Sequence, residues 1–180
     1  WAHFAVMSND INTPKILFCP TEGTDASRVQ ATVFGGNTAS AINYRGNTNL
    51  SYFVGVDANE TFPQMVLIGD RNIGSGSGTP PSTPTSDYST GPGASVTTAL
   101  ACMGTNFVGV ANQPVWNDKL HQRQGNLGLS DGSVQGVSSS KLREFLSTTG
   151  DSRANGGTPA FTPINSGQNG NRFQFPYYNN

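Results

Sequence analysis

Charge is what this chain lacks most. Only 12% of its 180 residues are Asp, Glu, Lys or Arg, about half the usual share. The basic side chains stand singly and the formal net charge is −1. No basic stripe is present to neutralise a phosphate backbone, which argues against nucleic acid as a partner. No apolar run reaches the roughly 18–20 residues that cross a bilayer. With two histidines, His3 and His121, the chain has no HExxH or comparable metal-ligand spacing. It also has no Gly-x-Ser-x-Gly elbow and no glycine-rich phosphate loop leading from strand to helix. The two cysteines, Cys19 and Cys102, are too few for a four-ligand zinc site. They read either as one disulfide or as two buried thiols acting as small hydrophobes. A bridge closing so long a loop contributes about 4–5 kcal/mol in the chain-entropy model. No signal peptide is visible, and a start at Trp1 rather than Met reads as a processed or truncated form.

In place of charge the chain carries Gly, Ser, Thr, Asn and Gln, with hydrophobic residues at 34%. Such residues favour turns and short strands over long helices. The apolar pattern predicts a first helix over 1–10, stopped by Thr13-Pro14. Strands are expected at 15–19, 50–56, 64–69, 106–110, 126–130 and 133–137, with a weak candidate at 31–34. The nearly continuous runs at 50–56 and 64–69, joined by the loop 57–63, read as central strands covered on both faces. Asp131-Gly132 suits a type I′ turn between the last two strands, where both central residues take positive φ. A final helix is predicted from Ser139 to Thr148, with Leu142, Phe145 and Leu146 as its buried stripe and Gly150 as its stop. Residues 74–98 are dominated by Gly, Pro, Ser and Thr and read as a solvated or O-glycosylated insertion. The stretch 116–124 reads as polar loops or turns. The domain is therefore expected to span 1–150, with a Gly/Asn/Pro/aromatic tail over 151–180, and the fold class is α+β with a mainly antiparallel sheet flanked by short helices.

His121 is followed, after nine intervening residues, by Asp131-Gly132. The segment 125–134 then forms a terminal hairpin signal with a helix at 141–146 behind it. Upstream, residues 1–20 lead to Cys19-Pro20, and Gly69 to Asn72 and Asn171 to Pro176 supply further landmarks. Together these resemble the prepilin-type family that carries a His-nine-residues-Asp-Gly domain, over most of the chain except 74–98 and 150–170. The resemblance implies a pilin-like globular head, in type II secretion pseudopili or type IV pilus-like systems. It also implies a precursor anchored in the inner membrane by an apolar N-terminal helix, a part missing here. Membrane contact would come only through that helix. The implied place of work is the cell surface or the extracellular space.

The residues themselves offer few chemical candidates. His121 has no nucleophile or carboxylate fixed beside it by spacing, so it reads as a structural histidine bonding backbone near the Asp131 turn. His3 reads as exposed or packed on Trp1. Asp70, Arg71 and Asn72 read as a group that pairs internally and fixes the exit of their strand. Asp57, Asn59 and Glu60 are oxygen donors in a hairpin loop, weak calcium candidates without EF-hand spacing. No other cofactor is expected. Asn49-Leu-Ser51 and Asn59-Glu-Thr61 meet the N-glycosylation pattern, and Thr79, Ser82, Thr83 and Thr85 are O-linked candidates. Phe173, Phe175, Tyr177 and Tyr178 either dock on a neighbouring subunit or pack on their own domain. The expected function is a non-catalytic structural subunit of a filament or secretion pseudopilus. It would assemble with copies of itself, other pilin-like subunits or surface glycans. One rival is a secreted glycan-binding module using Trp116 and the tyrosines as stacking platforms; another is a small metal-dependent hydrolase built on His121 and Asp131.

Overall fold

The structure is a computed structural model that describes residues 1–25, 27–35, 41–84, 87–89, 100–103, 113–149 and 171–177. The expected strand at 106–110, the stop at Gly150, Thr85 and Tyr178 lie outside the described residues. The architecture is α+β, and every ladder among the described strands is antiparallel.

The strongest apolar runs supply the middle of the main sheet. Strand β1 (Tyr52–Gly55) pairs with β2 (Val66–Asp70), setting Tyr52 opposite Asp70 and Phe53 opposite Gly69. Side chains alternate across a strand. Phe53 and Val66 therefore enter the larger core, while Tyr52, Val54 and Ile68 pack against a smaller one built on Phe4, Leu17, Ala31, Tyr44 and Leu50. From β2 the chain passes into β3 (Ile73–Gly76), which pairs with β5 (Gln113–Trp116) as a separate ribbon. The main sheet is completed by β4 (Leu100–Cys102), β6 (Gln124–Leu129), β7 (Val134–Ser138) and β8 (Arg172–Gln174), in the order β4-β8-β1-β2-β6-β7.

The closing hairpin forms where expected but with different turn chemistry. Gly132 alone takes a positive φ, +83°. Its N–H donates to the Leu129 carbonyl at 3.0 Å, and the Leu129 N–H donates to Ser133 O at 2.9 Å. That is a type I turn followed by a left-handed glycine bulge, not a type I′ turn. The Asp131 carboxylate accepts from the Ser133 N–H and hydroxyl, which holds Asp131 itself right-handed. Helix α2 (Ser139–Ser147) starts at Ser138, whose hydroxyl accepts from the Lys141 N–H. It lays Leu142, Phe145 and Leu146 on the larger core, as its periodicity requires.

Several expectations are corrected. Only Ala2–Ala5 of the first ten residues is helical, as α1. Residues Pro14–Leu17 are a 3-10 helix and not a strand, because Pro14 opens it and the Thr13 hydroxyl accepts from the Lys15 N–H. The segment 31–34 makes one isolated parallel bridge, Val33 to Asn43. Residues 74–76 belong to β3, and Asp87, Tyr88 and Ser89 are buried, so the start of the supposed insertion and these three residues within it are parts of the fold. Trp116 is a fully buried strand residue: a Cβ at Gly125 would lie 2.6 Å from its ring, so only glycine lets the strand pass beneath the indole. Phe173 and Phe175 are buried as well. Phe173 stacks on Phe53 at 4.4 Å and Phe175 lies 5.4 Å from Tyr88, so these rings close their own core rather than reach a neighbour; Tyr177 packs partly buried against the same core.

Candidate functional site

Three of the sequence landmarks meet on one side of the sheet. A cleft of about 350 Å³ is lined by Cys19, Tyr52, Ile68, Asp70, His121 and Val134, with Asn126 and glycines 69 and 128 completing its wall. Cys19 arrives at the end of the N-terminal 3-10 segment, fixed by its own N–H donating to the Ser51 hydroxyl at 2.8 Å. Asp70 closes β2. His121 enters from a turn in which His121, Gln122 and Arg123 all have positive φ, 48°, 51° and 66°. Left-handed conformation costs roughly 1–2 kcal/mol per non-glycine residue. Asn72 holds this turn in place: its amide nitrogen donates to the carbonyls of Asn117, Leu120 and Gln124 at 3.3, 3.0 and 3.3 Å. The strained turn delivers the His121 ring to the cleft.

There His121 Nε2 lies 3.4 Å from Cys19 Sγ and 3.5 Å from Asp70 Oδ2. Cys19 is a free, buried thiol, hydrogen-bonded with the Thr21 hydroxyl at 2.9 Å. The considered bridge to Cys102 is therefore not formed, and the Cys102 side chain lies outside the described ones. The Asp70 carboxylate accepts from the Asn126 N–H at 2.6 Å and from the Asn126 amide at 3.1 Å. Burial pushes its pKa up, and the Asn126 N–H and the nearby His121 oppose that rise only in part. Burial, reinforced by the electrostatic influence of neighbouring Cys19, Asp70 and Glu22, pushes the Tyr52 phenol up to about 12. A Cys, a His and an Asp thus converge, but both contacts fall on one imidazole nitrogen. In a relay the carboxylate orients one ring nitrogen while the other takes the nucleophile's proton. Here Cys19 Sγ and Asp70 Oδ2 both lie against Nε2, which is not that geometry.

The His121 partner is accordingly Asp70, and the expected link to the Asp131 turn is corrected. The two motif residues lie at opposite ends of β6, about 20 Å of extended chain apart, and Asp131 is exposed at the hairpin tip. This removes the geometric basis of a hydrolase on His121 and Asp131. Asp70, Arg71 and Asn72 are all buried but bond outward from their run rather than to each other. Arg71 donates to Glu22 at 2.5 Å and to Asp87 at 2.8 Å, and Glu22 also receives Arg28 at 2.7 Å. The sequence reading missed Glu22, Arg28, Tyr52 and Asn126. A signal existed for Asn126, a lone amide between strand glycines, but none for an ion pair six residues apart in a turn-rich stretch.

The remaining candidates scatter. Asp57 is engaged by the Arg172 guanidinium and backbone N–H, and Asn59 Oδ1 accepts from the N–H and hydroxyl of Thr61, so two of the three calcium donors already serve the protein. Among the described residues no group of three or more His, Cys, Asp or Glu is placed to hold a metal ion, and no helix is long and apolar enough to cross a membrane. Asn49 is buried, donating to Val29 O at 2.8 Å and accepting from the Arg45 N–H, which leaves no room for a glycan; Asn59, Thr79 and Ser82 are exposed and Thr83 half-buried. His3 is exposed. With its indole fully buried, Trp116 offers no platform to a sugar. No family model, no curated protein and no solved structure matches this chain.

Proposed function

We propose that this chain is the pilin-like head of an exported, non-catalytic structural subunit that works by packing against copies of itself in a filament or secretion pseudopilus. One observation carries the reading: four of the ten large apolar side chains exposed among the described residues lie within the first sixteen. Trp1 is 41% exposed, Val6 81%, Met7 44% and Ile16 61%, although the chain has little hydrophobic residue to spend. Large apolar groups left outside in one region mark a contact surface. The polar residues that looked chemical support the reading from the other side. Asp70, Arg71, Asn72 and Asp57 brace the fold from within, and His121 spends its one facing nitrogen on two internal neighbours.

Electron microscopy of native material tests this. Ordered fibres are expected, and Val6→Asp with Ile16→Asp should shorten or abolish them while leaving the unfolding midpoint unchanged. Dispersed monomers in the native material, or fibres indifferent to both substitutions, would overturn the assignment.

A further inference from the structure

The outer edge of β7 is an open strand of unusual composition. Val134, Gln135, Gly136, Val137 and Ser138 contain no charge and no proline, the two devices that commonly blunt a sheet edge. Among the described residues β7 is the end strand of the sheet and pairs with β6 alone. Leu129 and Ser133 form a hydrogen-bonded pair. Since bonded and non-bonded pairs alternate, the register turns the N–H and C=O groups of Gln135 and Val137 toward β6, and those of Val134 and Gly136 outward. Val134 is 73% exposed, and Gln135, Gly136 and Ser138 are exposed beside it.

We infer that β7 is a homotypic docking edge, pairing antiparallel with β7 of a second copy about a two-fold axis at Gly136. An isologous contact sets each residue against a fixed mate, and a charge near the axis would meet itself. β7 has none. The first charges beyond its two ends are Asp131 and Lys141, both exposed. They lie equally far in sequence from Gly136 on opposite sides, so the antiparallel two-fold carries Asp131 of each copy toward the Lys141 end of its mate. The occupant is thus a second copy, and its recognition is main-chain pairing framed by two opposite-charge approaches. This rests on the self-assembly reading above and names one face by which copies meet.

Gly136 makes the test clean. A Cβ there meets nothing nearer than Asn126 Oδ1 at 3.5 Å, and the φ is not in the left-handed region, so side chains are tolerated by the monomer. Sedimentation equilibrium should show a dimer whose dissociation constant rises about tenfold or more in Gly136→Lys, since like charges then face each other directly, with the unfolding midpoint unchanged at concentrations where the parent too is monomeric. In the paired state the two Gly136 Cα atoms lie about 5.5 Å apart, inside the range a disulfide spans. Oxidised Gly136→Cys should therefore run as a cross-linked dimer, and Glu60→Cys, at an exposed position away from β7, should not do so at the same rate. A monomeric parent, an unaltered dimer in Gly136→Lys, or cross-linking no faster than at Glu60→Cys would each overturn the inference. Fibres that survive Gly136→Lys while the dimer is lost leave the filament assignment standing. A β7-dependent dimer without any fibre supports this edge and removes the filament.

Discussion

Arg71→Leu is the substitution whose cost follows most directly from the structure. Arg71 is almost fully buried and sits between two carboxylates. Its Nε donates to Glu22 at 2.5 Å, its Nη1 to Asp87 at 2.8 Å, and its Nη2 lies 3.9 Å from Asp25. The cluster holds Glu22, Asp25 and Asp87 against Arg28, Arg71 and Lys119, three charges of each sign. Leucine fills part of the volume and leaves the cluster one positive charge short. Removing one partner of a buried pair costs about 3–5 kcal/mol. The lower end applies, because Glu22 keeps Arg28 and Asp87 keeps the Ser89 N–H at 2.9 Å and Lys119 at 3.4 Å. About 3 kcal/mol lowers the melting temperature of a domain this size by roughly 6–12 °C. Urea denaturation gives the free energy directly. The double variant Arg71→Leu with Asp87→Asn restores charge balance and should lose less than the sum of the single losses. A single-variant loss under about 1 kcal/mol, or simple additivity in the double, would refute the view that Arg71 clamps these segments.

The other expectations follow from the same geometry. Asp70 has a folded-state pKa above its ordinary 3.8, so its contribution to stability is fully present below that value and is lost as pH rises through the folded pKa. The stability difference between the parent and Asp70→Asn should therefore fall with rising pH in denaturation midpoints, and a difference that rises or stays flat would contradict the burial argument. Asn72→Ala strands three carbonyls of the left-handed turn and should cost about 1–3 kcal/mol, with the His121 ring signals shifted in NMR. Phe173→Ala removes a fully buried ring stacked on Phe53 and should cost about 3–5 kcal/mol; a loss near zero would mean that β8 is not part of the cooperative core.

What was legible in the sequence was local. The pair β1 and β2, the final hairpin and α2 each announce themselves within about ten residues, through β-branched runs, an Asp-Gly turn and a 3.6-residue stripe. The four apolar residues before Pro20 misled, because a short apolar run does not distinguish strand from helix and Pro14 with Thr13 settled the matter. Trp116 was hidden by polar neighbours, although Asn117 and Leu120 are buried with it. β8 lay in a landmark segment but carried no signal of being a strand: Val54 pairs with Gln174, and Leu100 pairs with the same residue on the other side. Nothing in a three-residue strand states where it will insert. The site failed for the same reason. The nine-residue spacing linked His121 to Asp131 along one strand, whereas folding linked it to Asp70 and Cys19 from elsewhere in the chain.

These non-local closures explain how a chain with so few hydrophobic residues supports a core. Its largest rings come from distant segments, Phe53 from β1, Tyr88 from beyond β3, and Phe173 and Phe175 from the C-terminal strand, and they meet in one cluster. Each ring buries more area than an aliphatic side chain, so a few of them offset a low apolar count. The consequence is dependence: within the main sheet β4 is joined to β1 only through β8, so that sheet is continuous only once the C-terminal strand has inserted. Buried ions at the other end act alike, with Glu22, Arg71 and Asp87 drawing three segments together. The surface these closures hold leaves exposed apolar side chains near the N-terminus and the uncharged β7 edge outside, which are the contacts the proposed assembly calls on.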